Sequence, residues 1–193
     1  MLINKAKSVD TVGADVKKGN STSNRLKGGG IFTVRCHDKE GNLKWESKSN
    51  NLVVNVGLAD MNTRYFKGSG YTAAWYLGVY GPASSNNPSS TDTMASHAGW
   101  TEVTAYSNAT RPAATFGGAT TADPSVIANS ASPAQFLINA SANVGGAFLT
   151  SGDSPGGSSG TLFSASDFAA PGDRVVQNGD VLSVTYTFSL DAA

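Results

Sequence analysis

The chain has 193 residues, a mass of 19.8 kDa and 14 basic against 14 acidic side chains, so its formal net charge is zero. Ser, Thr, Gly and Ala make up 88 of the 193 residues, 46%, and only 15% are charged. That balance excludes helical bundles and coiled coils, which need Leu, Glu and Lys. It also excludes collagen, since glycine has no three-residue period, and no apolar run approaches the ~18 residues of a transmembrane helix.

The zero hides a division. Residues 1–67 carry 12 Lys or Arg and 6 Asp or Glu, a net +6; residues 68–193 carry Arg111 and Arg174 against 8 acids, a net −6. This reads as a basic arm, residues 1–30, on a neutral-to-acidic body, residues 31–193. The N-terminus MLINKAKSVD lacks the apolar stretch of a signal peptide. The single Cys36 cannot form an internal disulfide, so the fold is expected to hold without cross-links in a reducing compartment.

In chain order, residues 1–30 are polar, with Ile3, Val9, Val12, Val16 and Leu26 as the possible anchors. They end in Gly28-Gly29-Gly30, which predicts an extended arm with a flexible joint. IFTVRCHD at 31–38 alternates, with Phe32, Val34 and Cys36 on one face. KEGN supplies a turn with Gly41 free for positive φ, and LKWESKS resumes through Leu43 and Trp45, completing a hairpin.

Leu52–Val56 predicts a strand. Leu58, Met61, Tyr65 and Phe66 then space as one face of a short helix over 58–66. Thr72–Tyr80 reads as a buried strand closed by Gly81-Pro82. A long polar loop follows, in which Asp92 can cap one helical turn. Short strands are predicted at Trp100–Tyr106, near Ala113–Phe116, at Ala134–Ala140, Gly146–Thr150 and Thr161–Ala165, with a loop at 151–160. Asn178-Gly179-Asp180 turns into VLSVTYTFSL, where Leu182, Val184, Tyr186, Phe188 and Leu190 share a face, as in a half-buried antiparallel strand. Seven to nine short strands without βαβ alternation predict an all-β fold, an antiparallel β-sandwich or jelly roll with one short helix.

Chemistry is harder to find. Gly152-Asp153-Ser154-Pro155-Gly156 matches G-x-S-x-G, but a nucleophile elbow needs a strand before the serine and a helix after it. Pro155 also pushes Ser154 toward extended backbone, and neither His37 nor His97 sits in a protease-like context. Cys36 and His37 point to opposite strand faces, so no metal site is expected. Asp123, Asp153, Asp167 and Asp173 read as turn residues. Glu102 and a few loop aspartates are the acids that remain as candidates for glycoside hydrolysis. Trp75, Tyr76, Tyr80, Trp100 and Tyr106 could line a sugar-binding face, but strands favour aromatics for packing and the core reading is preferred. The sequons at Asn20, Asn108 and Asn139 are expected by chance in this composition. No catalytic residue, cofactor or metal is therefore expected.

Several segments carry a resemblance: NLVVNVGL before a short helix, WYLGVY, the Asp-Thr-Met-Ala-Ser stretch before TEVTAYSNATRPA, then GAFLTS, GTLFSASDF and VVQNGDVLSVTYTFSL. Over roughly residues 50–190 the chain resembles small virion structural proteins of tailed bacteriophages. The resemblance implies a capsid cement or decoration protein, all-β and homo-oligomeric, that binds the major capsid protein and copies of itself and is located in the virion. The alternative within the group is a tail or tail-fibre component with a carbohydrate- or receptor-binding sandwich. Lys5, Lys7, Lys17, Lys18, Arg25 and Lys27 are the candidate contact residues of the arm, whose charge suits an acidic partner surface. The arm has neither Arg clusters nor interleaved aromatics, so direct nucleic-acid binding is not expected, and no membrane partner is expected either.

Overall fold

The structure is a computed structural model that describes residues 26–68, 70, 74–84 and 87–192. Alternation builds the first hairpin. β1 (Leu26–His37) buries Phe32, Val34 and Cys36, and pairs antiparallel with β2 (Leu43–Asn50) across a turn where Gly41 adopts φ 85°. The register slips between Cys36 and His37, and this leaves Leu43 outside. The inward residues of β2 are Trp45, Ser47 and Ser49, so two small hydroxyl residues occupy core-facing positions.

The first strand begins five residues earlier than expected. Gly28, Gly29 and Gly30 are not a joint but part of β1, because β11 (Val181–Ala192) offers them a continuous ladder from Leu26↔Ala192 to His37↔Val181. Gly30 suits that ladder: a Cβ there would lie 2.7 Å from the Thr187 carbonyl and 2.9 Å from the Tyr186 hydroxyl. The expected boundary between arm and body at residue 30 therefore falls inside a strand.

β3 is only Leu52–Val53, shorter than expected, since Asn55 already starts helix α1 (Asn55–Lys67). The helix is also longer than expected, and of the four spaced apolar residues Met61 alone packs against the main core. The helix ends at Gly68, left-handed at φ 68°, with Arg64 and Lys67 in its last turn. Gly57 is its one fully buried residue, while Leu58, Tyr65 and Phe66 face outward. A Cβ on Gly57 would stand 2.4 Å from the Phe163 carbonyl, so the helix face is set by close backbone approach rather than by its largest apolar side chains.

The remaining strands are β4 (Tyr76–Tyr80), β5 (Ser125–Ala128), β6 (Ala134–Leu137), β7 (Ala142–Val144), β8 (Gly146–Thr150), β9 (Leu162–Asp167) and β10 (Arg174–Val176). One sheet runs β2-β1-β11, and the far edge of β11 is shared by β6 along residues 181–184 and β5 along 187–190. Between them Asn129 imitates a strand: its side-chain oxygen accepts from Tyr186 N at 2.7 Å and its amide donates to the Val184 carbonyl at 3.2 Å. The second sheet runs β3-β9-β8-β4; β7 and β10 form a separate antiparallel pair. The two larger sheets face one another over a shared core containing Phe32, Val34 and Tyr186 from one and Leu77, Leu149 and Phe163 from the other. This is the expected all-β sandwich, with a single helix among the described residues.

The second sheet is covered on both faces. Its outer face holds Tyr80, Phe148 and Leu162 against Met94 and Trp100 of the 81–104 segment, so all five residues of β8 are buried. Glycine makes room for the rings: Gly78 lies opposite Phe148, and Gly146 opposite Tyr80. A Cβ at either would fall 2.0 or 2.1 Å from the facing ring.

Trp100–Tyr106 is not a strand. It bridges Tyr80 at Glu102 and Ile138 at Tyr106, crossing from one sheet to the other, and so cannot stay in either ladder. Ala113 likewise makes one isolated bridge, to Tyr76, instead of a strand at 113–116, while β5 and β7 form where none was expected.

Candidate functional site

The loop containing Ser154 is organised by a residue that the sequence did not single out. Arg111 is 1% exposed. Its Nε and one Nη donate to the two oxygens of Glu102 at 2.8 and 2.7 Å, and the same guanidinium donates to the carbonyls of Gly152 at 2.7 Å and Gly157 at 2.9 Å. The guanidinium also lies 5.4 Å from the centre of the Phe148 ring. Glu102 additionally accepts from Gly156 N at 2.7 Å. Both ends of the 152–157 turn are thus fastened to one buried ion pair. Burial, and next the Glu102 charge, hold the neighbouring Tyr106 phenol well above its ordinary value.

This geometry gives Glu102 a role. Its two oxygens are committed to Arg111 and to the loop backbone, so it is poorly placed for the proton traffic of general acid–base work. The Ser154 hydroxyl donates to its neighbour Asp153 at 3.1 Å. His97 is occupied elsewhere, stacked on Trp100 with ring centres 3.9 Å apart, and His37 sits on β1. The structure does not bring a histidine into hydrogen-bond contact with Ser154.

Two further buried acids do similar work. Asp92 accepts from Ser89 N at 3.0 Å and from the Trp100 indole at 2.9 Å, closing the 89–100 loop rather than capping a helix. Asp180 accepts from Lys44 Nζ at 2.6 Å, from Gln177 N at 2.8 Å and from the Cys36 thiol at 3.5 Å. Desolvation and then the Asp180 charge push the Cys36 thiol up to about 12. Asp167 ends β9 rather than lying in a turn. Burial and then the Asp173 charge raise its carboxyl above the ordinary range. Among the described residues no three His, Cys, Asp or Glu side chains gather closely enough to hold a metal ion.

The aromatics proposed for a sugar face are largely interior. Tyr80, Trp100 and Tyr106 are buried in the core, and Trp75 and Tyr76 are half-buried. Of the arm residues, Lys5, Lys7, Lys17, Lys18 and Arg25 lie outside the described residues. Lys27 is an exposed residue of β1, in register with Asp191.

A large recess among the described residues is apolar. At the end of the sandwich where β1 begins, the sheets part around a cleft of about 580 Å³. Its floor is Trp75, Leu149, Phe163 and Tyr186. One wall is Phe116, Ile127, Phe188 and Leu190; helix α1 supplies the other through Met61, Tyr65 and Phe66. Phe163 packs edge-on against both Trp75 and Phe188, with centres 5.6 and 5.5 Å apart. Among the described residues, the charged side chains that line it are Asp60 and Arg64, paired with each other at 2.9 Å. At its edge Gly28 is in register with Leu190, and a Cβ there would touch the Leu190 and Phe188 side chains at 3.4 Å. Tyr65 and Phe66 are 83% and 80% exposed, unusual for adjacent aromatics on a solvent face.

Comparison with protein-family models, with curated proteins and with solved structures found no match to this chain. No helix among the described residues is long and apolar enough to cross a membrane.

Proposed function

We propose that the protein is a structural component of a tailed-bacteriophage virion, of the capsid cement or decoration type. In this role it acts as a homo-oligomer that binds between major capsid subunits and does no chemistry. The observation that best supports this reading is the Arg111–Glu102 hub. It turns the one serine motif suggestive of an enzyme into a fastened surface loop. With Asp92 and Asp180 tying down the other polar turns, the body offers small-residue loops already fixed in shape. Such loops lose little entropy when they adhere to a partner, which suits a protein whose task is to bind and stiffen. The resemblance of residues 50–190 to virion structural proteins supplies the setting.

The test uses phage heads purified without this protein. Added back, it should co-sediment at a fixed stoichiometry, raise the temperature at which heads release DNA, and appear as density between capsid subunits by cryo-EM. Absence of head binding would overturn the reading, and density on the tail would replace it with the tail-component alternative.

A further inference from the structure

We infer that the apolar cleft is the docking site of this chain's own N-terminal segment, residues 2–16, bound within the same molecule. The first support is position. The segment joins the fold at Leu26, which is itself a lining residue of the cleft. A tethered segment meets such a site at an effective concentration on the order of millimolar, so modest contacts suffice to hold it. The second is reach. Val16 lies ten positions before Leu26, a stretch that can span up to roughly 33 Å when extended, enough to turn back from the start of β1 across the cleft.

The third support is chemistry. Leu2, Ala6, Val9, Val12 and Val16 recur at three- and four-residue intervals, so one stripe of the segment is apolar. The cleft offers aromatic walls and a single internally neutralised ion pair, a match for aliphatic side chains and a poor one for charges. The fourth is electrostatic. Residues 1–25 carry five basic and two acidic side chains, a net +3, and the rest of the chain is therefore −3, which favours the segment's return to the body. Docking would cover Tyr65 and Phe66 and leave lysines of the arm outward.

The full-length chain tests this directly. A nitroxide is placed on Val12→Cys; buried Cys36 should stay unlabelled. The spin label should extinguish the amide signals of Tyr65, Phe66 and Leu190 within one molecule. A mixture of spin-labelled chains and isotope-labelled, spin-free chains should show no such loss. In parallel, the triple variant Val9→Asp, Val12→Asp, Val16→Asp should bind the dye ANS severalfold more strongly than wild type, with unchanged circular dichroism. Unaffected cleft signals, loss only in the mixture, or unchanged dye binding by the triple variant would each overturn the assignment. None of these readouts involves capsids, so the docking stands or falls separately from the virion role.

Discussion

The polar side chains that matter most here are the buried ones. Arg111 and Glu102 are both removed from water, so losing one leaves the other charged and unpaired. Arg111→Met should cost about 3–5 kcal/mol and loosen the 152–157 loop, while Arg111→Met with Glu102→Leu should cost clearly less; urea melts of the three proteins measure the difference. Cys36 gives a pH prediction. Its thiol titrates at about 12 in the fold against an ordinary 9.0, so the native state holds the proton more tightly than the unfolded chain. The resulting stability is fully present below pH 9 and is lost as pH rises toward about 12. The stability gap between wild type and Cys36→Ala should shrink over that window, and native protein at neutral pH should resist thiol reagents until denaturant is added.

Among the elements, α1 makes a sharp test, because propensity and packing predict opposite signs. An exposed helical Gly→Ala gains about 1 kcal/mol, but a methyl at Gly57 would strike the backbone of β9. Gly57→Ala should therefore destabilise by about 1–3 kcal/mol, visible as a lower melting temperature. The same contact explains why the helix was legible in the sequence and its orientation was not. Spacing located Leu58, Met61, Tyr65 and Phe66 as a stripe, whereas the docked face is chosen by a residue with no side chain. Strands with one wet face, β1 and β11, could be read from alternation. β8, dry on both faces, could be read from its apolar run. Trp100–Tyr106 could not, because its apolar residues serve two sheets in turn.

For the whole molecule, β11 is the spine: it pairs with β1, β5 and β6, and its Tyr186 reaches across the core to Ser164 of β9 at 3.2 Å. A chain lacking Val181–Ala192 should show no cooperative unfolding transition by calorimetry, since the larger sheet then has no centre. Of the candidate sites, the charged arm rests on composition alone, and all of its candidate residues but Lys27 lie outside the described residues. The cleft was not legible, because its lining is gathered from the helix and from strands and loops far apart in the chain. Arg111 was equally hidden. A lone arginine in TRPAAT carries no pattern, and only the fold brings it against Glu102 and two loop carbonyls.

The pairing of β1 with β11 joins Leu26 to Ala192, and this sets a schedule for the growing polypeptide. On the ribosome, Phe32 and Val34 emerge some 150 residues before the strand that pairs with theirs. The larger sheet thus assembles only after β11 has emerged. Until then the nascent protein has an uncovered apolar strand edge, the state most in need of a chaperone and least tolerant of a premature stop.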